Sequence, residues 1–136
     1  MKTILIVDDD LSIQHLLRAG LSHHLKDRIT SIFTAGNGKE AIDILKTFRV
    51  DFILTDLKMP VMDGYELASY VKKHSPLTPL FVMTGSYDPE IAKRLYSIGV
   101  TQHFEKPFDL SELVSKIVAV LPGRPQAQGA SLSLSF

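Results

Sequence analysis

The sequence predicts an α/β fold, a doubly wound parallel sheet with helices on both faces. Short apolar runs alternate with longer segments of helical period, which is the order of strands and crossover helices. The runs TILIV, DFILT and LFVM are nearly continuous in apolar residues, as strands covered on both faces must be. A length of 136 residues suits one domain with one core.

Strands are expected at residues 3–7, 29–35, 51–55, 80–83 and 101–105; the second and fifth, more mixed in character, belong at edges. After strand one, Ile13, Leu16, Leu17, Leu21 and Leu25 recur at helical spacing. Gly36-Asn37-Gly38 reads as a turn. It lacks both the Lys-Ser/Thr of a phosphate loop and a G-x-G-x-x-G, so no nucleotide is expected. Ala41, Ile42 and Leu45 mark the second helix, Leu67 and Val71 the third, and Ile91, Leu95 and Ile98 the fourth. Asp88-Pro89-Glu90 supplies a cap, a first-turn proline and a first-turn carboxylate, and Gly99 a stop. Asp109 and Glu112, spaced as a capping box, open the last helix at 109–121. Its apolar residues, from Leu110 to Leu121, cover an arc of roughly 160°, wider than one sheet contact needs. The domain is expected to occupy residues 1–121. Residues 122–136, rich in Pro, Gly, Gln and Ser, read as a flexible tail or linker stub in which Leu132, Leu134 and Phe136 alternate.

With 45% apolar and 22% charged residues the chain has a globular composition, and 15 cations against 15 anions leave no net charge to attract a nucleic-acid backbone. The absence of cysteine excludes disulfides, thiolate metal sites and cysteine nucleophiles. No signal peptide is evident, and no run reaches the ~20 apolar residues of a membrane span. A cytoplasmic location is expected, with neither nucleic acid nor membrane as partner.

Open parallel sheets bind ligands just past the carboxyl ends of their strands. There the runs close on Asp8, Asp9 and Asp10, on Asp56, on Thr84 and on Lys106. Asp10 alone reads as a helix cap. Asp8, Asp9 and Asp56 together do not, because two carboxylates ~4 Å apart repel by roughly 4 kcal/mol at an effective dielectric of ~20. A hard divalent cation offsets such repulsion, and an acidic cluster beside a lysine and a hydroxyl suits a metal-bound phosphoryl group.

With their neighbours these residues resemble the receiver domain of two-component response regulators. The stretches ILIVDDD, AGNGKEAIDIL, DFILTDLKMPVMDG, FVMTGS and FEKPF occur in order over about residues 1–121. The resemblance implies a flavodoxin-like sheet of order 2-1-3-4-5 with five helices. It also implies a signalling domain, not an enzyme beyond slow self-dephosphorylation, in which Asp56 accepts a phosphoryl group from a histidine kinase or phosphotransfer protein. Mg²⁺, or Mn²⁺ in its place, would be held by Asp9 and Asp56, by Asp8 mainly through water, and by the Lys58 carbonyl. Lys106 would contact the phosphoryl oxygens and Thr84 would move to bind one. Lys106-Pro107 corresponds to a bond usually cis in the family, and Met59-Pro60 with Asp63-Gly64 would shape the loop presenting Asp56. Output would pass to a partner protein, or through a phosphorylation-dependent dimer. A phosphorelay shuttle and a fragment of a larger regulator or hybrid kinase are the alternatives.

Two positions depart from the family. His103 stands where an aromatic switch residue is usual, either as a neutral substitute or as a pH-responsive one. Gly85-Ser86 follow Thr84, so the Ser86 position lacks the acid some members carry. A haloacid-dehalogenase-type phosphatase shares the aspartate, metal, threonine and lysine, and Asp8 to Ser12 imitate its motif. It also needs a late acidic pair, whereas Asp109 and Glu112 read as caps. His15, His23, His24 and His74 have no ligand spacing and read as solvated surface; Tyr87 and Tyr96 read as half-buried packing.

Overall fold

The computed structural model describes residues 2–85 and 88–121. Five strands, β1 (Lys2–Val7), β2 (Ile29–Ala35), β3 (Phe52–Asp56), β4 (Leu80–Thr84) and β5 (His103–Glu105), alternate with five helices. These are α1 (Leu11–His24), α2 (Gly38–Thr47), α3 (Gly64–His74), α4 (Pro89–Ile98) and α5 (Leu110–Val120). All strand pairs are parallel and the sheet order is β2-β1-β3-β4-β5, so the two mixed runs are indeed its edges. Among the described residues no helix is long and apolar enough to cross a membrane.

Alternation along each strand divides the core in two. Ile4, Ile6, Phe52, Leu54, Phe81 and Met83 face α1 and α5, meeting Leu17, Leu21, Leu113 and Ile117. Leu5, Val7, Ile53 and Val82 face the other way, meeting Ala41 of α2, Leu67 and Val71 of α3 and Leu95 of α4. The wide apolar arc of α5 is only partly used. Leu113, Ile117 and Leu121 are buried, Leu110, Val114 and Val118 pack at their margins, and Val120 is exposed.

Several local expectations need correction. β3 runs to Asp56 and β4 to Thr84, each one residue further than expected, so both site residues are themselves strand ends. β3 begins at Phe52, one residue later than expected; Asp51 just before it meets β1 with its N–H on the Thr3 carbonyl (2.8 Å) and its carboxylate accepting the Thr3 N–H (2.9 Å). β5 begins only at His103, after Gly99 has turned the chain out of α4 with φ 104. Asp109 caps α5 through the Ser111 N–H, and the capping box lies at Asp63 and Glu66 on α3 instead. Leu16 and Tyr96 are exposed, off the buried stripes of α1 and α4, while His15, His23, His24 and His74 are exposed as expected. Ser86, Tyr87 and residues 122–136 lie outside the described residues.

Among the described glycines, the one set most closely against backbone atoms lies beneath the sheet's carboxyl edge. Gly64, the first residue of α3, donates its N–H to the Leu57 carbonyl at 2.7 Å. A Cβ there would stand 2.5 Å from the Asp56 carbonyl oxygen and 2.9 Å from Leu57 Cα, both backbone atoms with nowhere to go. Gly64→Ala is therefore expected to lower stability by about 1–3 kcal/mol, as overpacking does. Chemical denaturation measures it; unchanged stability would mean α3 can withdraw freely from β3.

Candidate functional site

Register alone assembles the site. Val7 pairs with Thr55 across β1 and β3, so Asp8 and Asp56 follow one step later, side by side. Asp56 pairs with Met83 on β4, and Thr84 with Glu105 on β5, which places Lys106 just past the edge. Loop hydrogen bonds lock these ends: Asp8 N–H to the Ala35 carbonyl (3.0 Å), Leu57 N–H to Met83 (3.0 Å) and Lys106 N–H to Thr84 (2.7 Å). The Lys106–Pro107 bond is cis.

Carboxylate oxygens of Asp8, Asp9 and Asp56 lie within 4.8 Å of one another. Asp8 is fully buried, Asp56 nearly so, and Asp9 faces solvent. Two interior carboxylates at this spacing require a counter-charge, and Lys106 supplies it. Its Nζ donates to Asp8 Oδ2 at 3.0 Å and stands 3.4 Å from Asp56 Oδ1. Backbone donors add to this: Asp8 Oδ1 accepts the Asp10 N–H, and Asp56 Oδ1, the oxygen that faces Lys106, also accepts the Leu57 N–H, both at 2.9 Å. Asp10 is a cap, accepting the Ser12 and Ile13 N–H groups at the start of α1.

Burial and then the charge of Asp8 push the Asp56 carboxyl above its ordinary 3.8, against the opposing pull of Lys106 and the Leu57 N–H. Burial works to lower the Lys106 ammonium, but its hydrogen bond to Asp8 and the charges of Asp56 and Asp8 outweigh it and leave the value raised. The site thus holds an excess of negative charge beside one cation. Three carboxylates, with Asp9 open to water, form the donor set that suits a hard divalent cation such as Mg²⁺. A cavity of about 170 Å³ opens here, lined by Asp56, Leu57, Lys58, Gly85 and Lys106. Thr84 is buried at the end of β4, and His103 is half-buried on β5, opposite Val82. The structure therefore brings Asp8, Asp9, Asp56 and Lys106 together, with Lys58 at the cavity wall and Thr84 at the neighbouring strand end.

Gln14 escaped sequence reasoning. It is buried, and its Nε2 donates to the carbonyls of Asp8 (2.6 Å) and Ala35 (3.3 Å), bracing the loop that carries the acidic pair. A signal was present: Gln14 stands three and seven residues before Leu17 and Leu21, a polar residue on the apolar stripe.

The raised Asp56 value carries a stability consequence. The folded protein holds this proton more tightly than the unfolded chain, so the stabilisation is complete below the ordinary value and is lost as pH rises through the raised one. Asp56→Asn removes that loss. In chelator at pH 7 the variant is expected to melt higher than the wild type, with the difference shrinking toward pH 4. Calorimetry across this range checks the sign, and a variant that melts lower at pH 7 would contradict it.

Comparison with known proteins agrees with this geometry. The family model of the response regulator receiver domain matches residues 4–118. Sporulation initiation phosphotransferase F of Bacillus subtilis is 34% identical over 119 residues, which are 88% of this chain and 93% of that protein. The DNA-binding transcriptional regulator NtrC of Klebsiella pneumoniae is 36% identical over 112 residues; the match takes in 82% of this chain but spans only 23% of the regulator's length. Among solved structures, the chemotaxis response regulator CheY4 of Vibrio cholerae superposes with a TM-score of 0.75 at 33% identity, covering 89% of this chain and 99% of that one. Fold, site geometry and family match converge: the chain belongs to the response regulator receiver domains, the signalling domains of two-component systems.

Proposed function

We propose that Asp56 is the phosphoacceptor of this domain, taking a phosphoryl group from the phosphohistidine of a histidine kinase or phosphotransfer protein. The observation that carries this reading is the Lys106 ammonium set between Asp8 and Asp56 at the mouth of an open cavity. One Asp56 oxygen forms the new P–O bond as the P–N bond to the donor ring breaks; its electron pair returns to the ring nitrogen, and the ring leaves as neutral imidazole. Asp9 and Asp56 are assigned as direct holders of Mg²⁺, with Mn²⁺ a substitute, Asp8 mainly through water, and the Lys58 carbonyl as a further ligand. When bound, the ion neutralises phosphoryl oxygens and so lowers the barrier to attack by an anion. Lys106 exchanges part of its contact with Asp8 for a phosphoryl oxygen, and the Thr84 hydroxyl hydrogen-bonds another. Slow attack by water returns Asp56 and free phosphate.

Output belongs to a partner protein or a phosphorylation-dependent dimer, reached through Thr84 and His103 as switch residues, in the cytoplasm and without nucleic acid or membrane. Residues 1–121 are the working domain in this reading and 122–136 a tail. The match over nearly the whole length of a sporulation phosphotransferase favours one further possibility, that the domain passes its phosphoryl group onward as a shuttle. The phosphatase reading is not favoured, since the late acid Asp109 is an exposed helix cap and not part of the cluster.

Incubation with a small phosphoryl donor such as phosphoramidate and Mg²⁺ is expected to add one acid-stable, base-labile phosphoryl group, read by intact mass. Asp56→Asn should abolish it, and Asp9→Ala should weaken Mg²⁺ binding and labelling together. Undiminished labelling of Asp56→Asn would overturn the assignment, and rapid turnover of a phosphate ester would restore the phosphatase. Rapid transfer from labelled domain to a second histidine protein identifies a shuttle; its absence leaves a binding regulator.

A further inference from the structure

The loop between β3 and α3 contains a strained residue. Val61 has φ 68, in the left-handed region that a β-branched side chain strongly disfavours. The Met62 N–H donates to the Pro60 carbonyl at 2.7 Å, so Pro60, Val61 and Met62 close a γ-turn of the rare positive-φ kind. The Val61 side chain is 76% exposed, so its own packing does not hold the turn. The hold lies one residue on. The Met62 carbonyl accepts the N–H of Gly38, the first residue of α2, at 3.0 Å. The Met62 side chain lies so close over Gly38 that a Cβ there would stand 2.6 Å from its Cγ and 2.8 Å from its Sδ. At the other end of the loop Gly64 is fixed on the Leu57 carbonyl. Between the two anchors lies Lys58, at the wall of the cavity beside Asp56.

We propose that Gly38 and Met62 are positioning residues for the acidic site: their contact clamps the strained turn at Val61 and thereby fixes residues 58–62, the Lys58 carbonyl among them, beside Asp56. The inference rests on the reading of Asp8, Asp9, Asp56 and Lys58 as a Mg²⁺ site. Strain at Val61 favours opening of the turn and the clamp opposes it. Once the clamp is released, a metal must reorder the loop to gain the carbonyl, and its affinity falls by the cost of that ordering. The clamp joins α2, which carries no ligand, to the metal site.

Mg²⁺ binding to the whole chain, measured by calorimetry with no phosphoryl donor present, tests this. Gly38→Ala drives Met62 aside, and Met62→Ala removes the clamping side chain without adding bulk to α2. Each is expected to weaken Mg²⁺ binding about tenfold, the scale set by residues that orient ligands. Asparagine accepts the left-handed region, so Val61→Asn needs no clamp: alone it should raise the thermal midpoint, and combined with either clamp variant it should restore most of the lost affinity. Full affinity in both clamp variants would overturn the proposal, as would a loss that Val61→Asn does not rescue, since simple repacking at Gly38 would be indifferent to residue 61. A wild type that binds no Mg²⁺ would instead overturn the metal reading, and the clamp's role in binding with it.

Discussion

The shared position of Lys106 between Asp8 and Asp56 is the interaction on which this site depends. Parallel register forces the two carboxylates level at the sheet's edge, and the sheet cannot relieve their repulsion without breaking the pairing of β1 with β3. A lysine one residue past the fifth strand, almost a hundred residues away in sequence, therefore serves the fold before it serves any chemistry. It does so incompletely. Burial, and then the charge of Asp8, leave Asp56 harder to ionise than an ordinary carboxyl despite the lysine, and a hard divalent ion is the natural complement to the three acids.

Most of the architecture was legible in the sequence because a doubly wound sheet writes itself twice. Strands buried on both faces must be apolar throughout, as ILIV and FILT are, while each crossover helix needs only one stripe, as Leu17 and Leu21 mark on α1. The site was legible for a related reason. The residues ending the runs are those that the fold brings to one edge, so Asp8, Asp56, Thr84 and Lys106 could be gathered without coordinates.

What stayed hidden depends on partners distant in sequence or on single backbone angles. Gln14 shows in the sequence only as a polar residue on an apolar stripe; what it holds is visible once Asp8 and Ala35 present their carbonyls to it. The positive φ of Val61 stands beside a contact between Met62 and Gly38, two segments whose proximity no local propensity encodes. The capping box was expected at Asp109, where the spacing fits, and formed at Asp63, where Glu66 reaches back to the N-cap. Spacing proposes caps; the direction in which the chain enters the helix decides among them.

The seating of α4 has a consequence for how the domain opens. Of its ten residues Leu95 alone is fully buried, Ile91 and Ile98 pack at the margin of the core, and the Arg94 guanidinium stacks 3.8 Å over the Tyr65 ring of α3. A cation–π contact at an exposed site contributes only about 0.5–1 kcal/mol. Resistance to local unfolding scales with buried apolar contact, so the rest of the sheet can keep its protection while this one helix detaches. When α4 lifts away its own amides lose protection, while the backbone of β4 stays paired with β3 and β5.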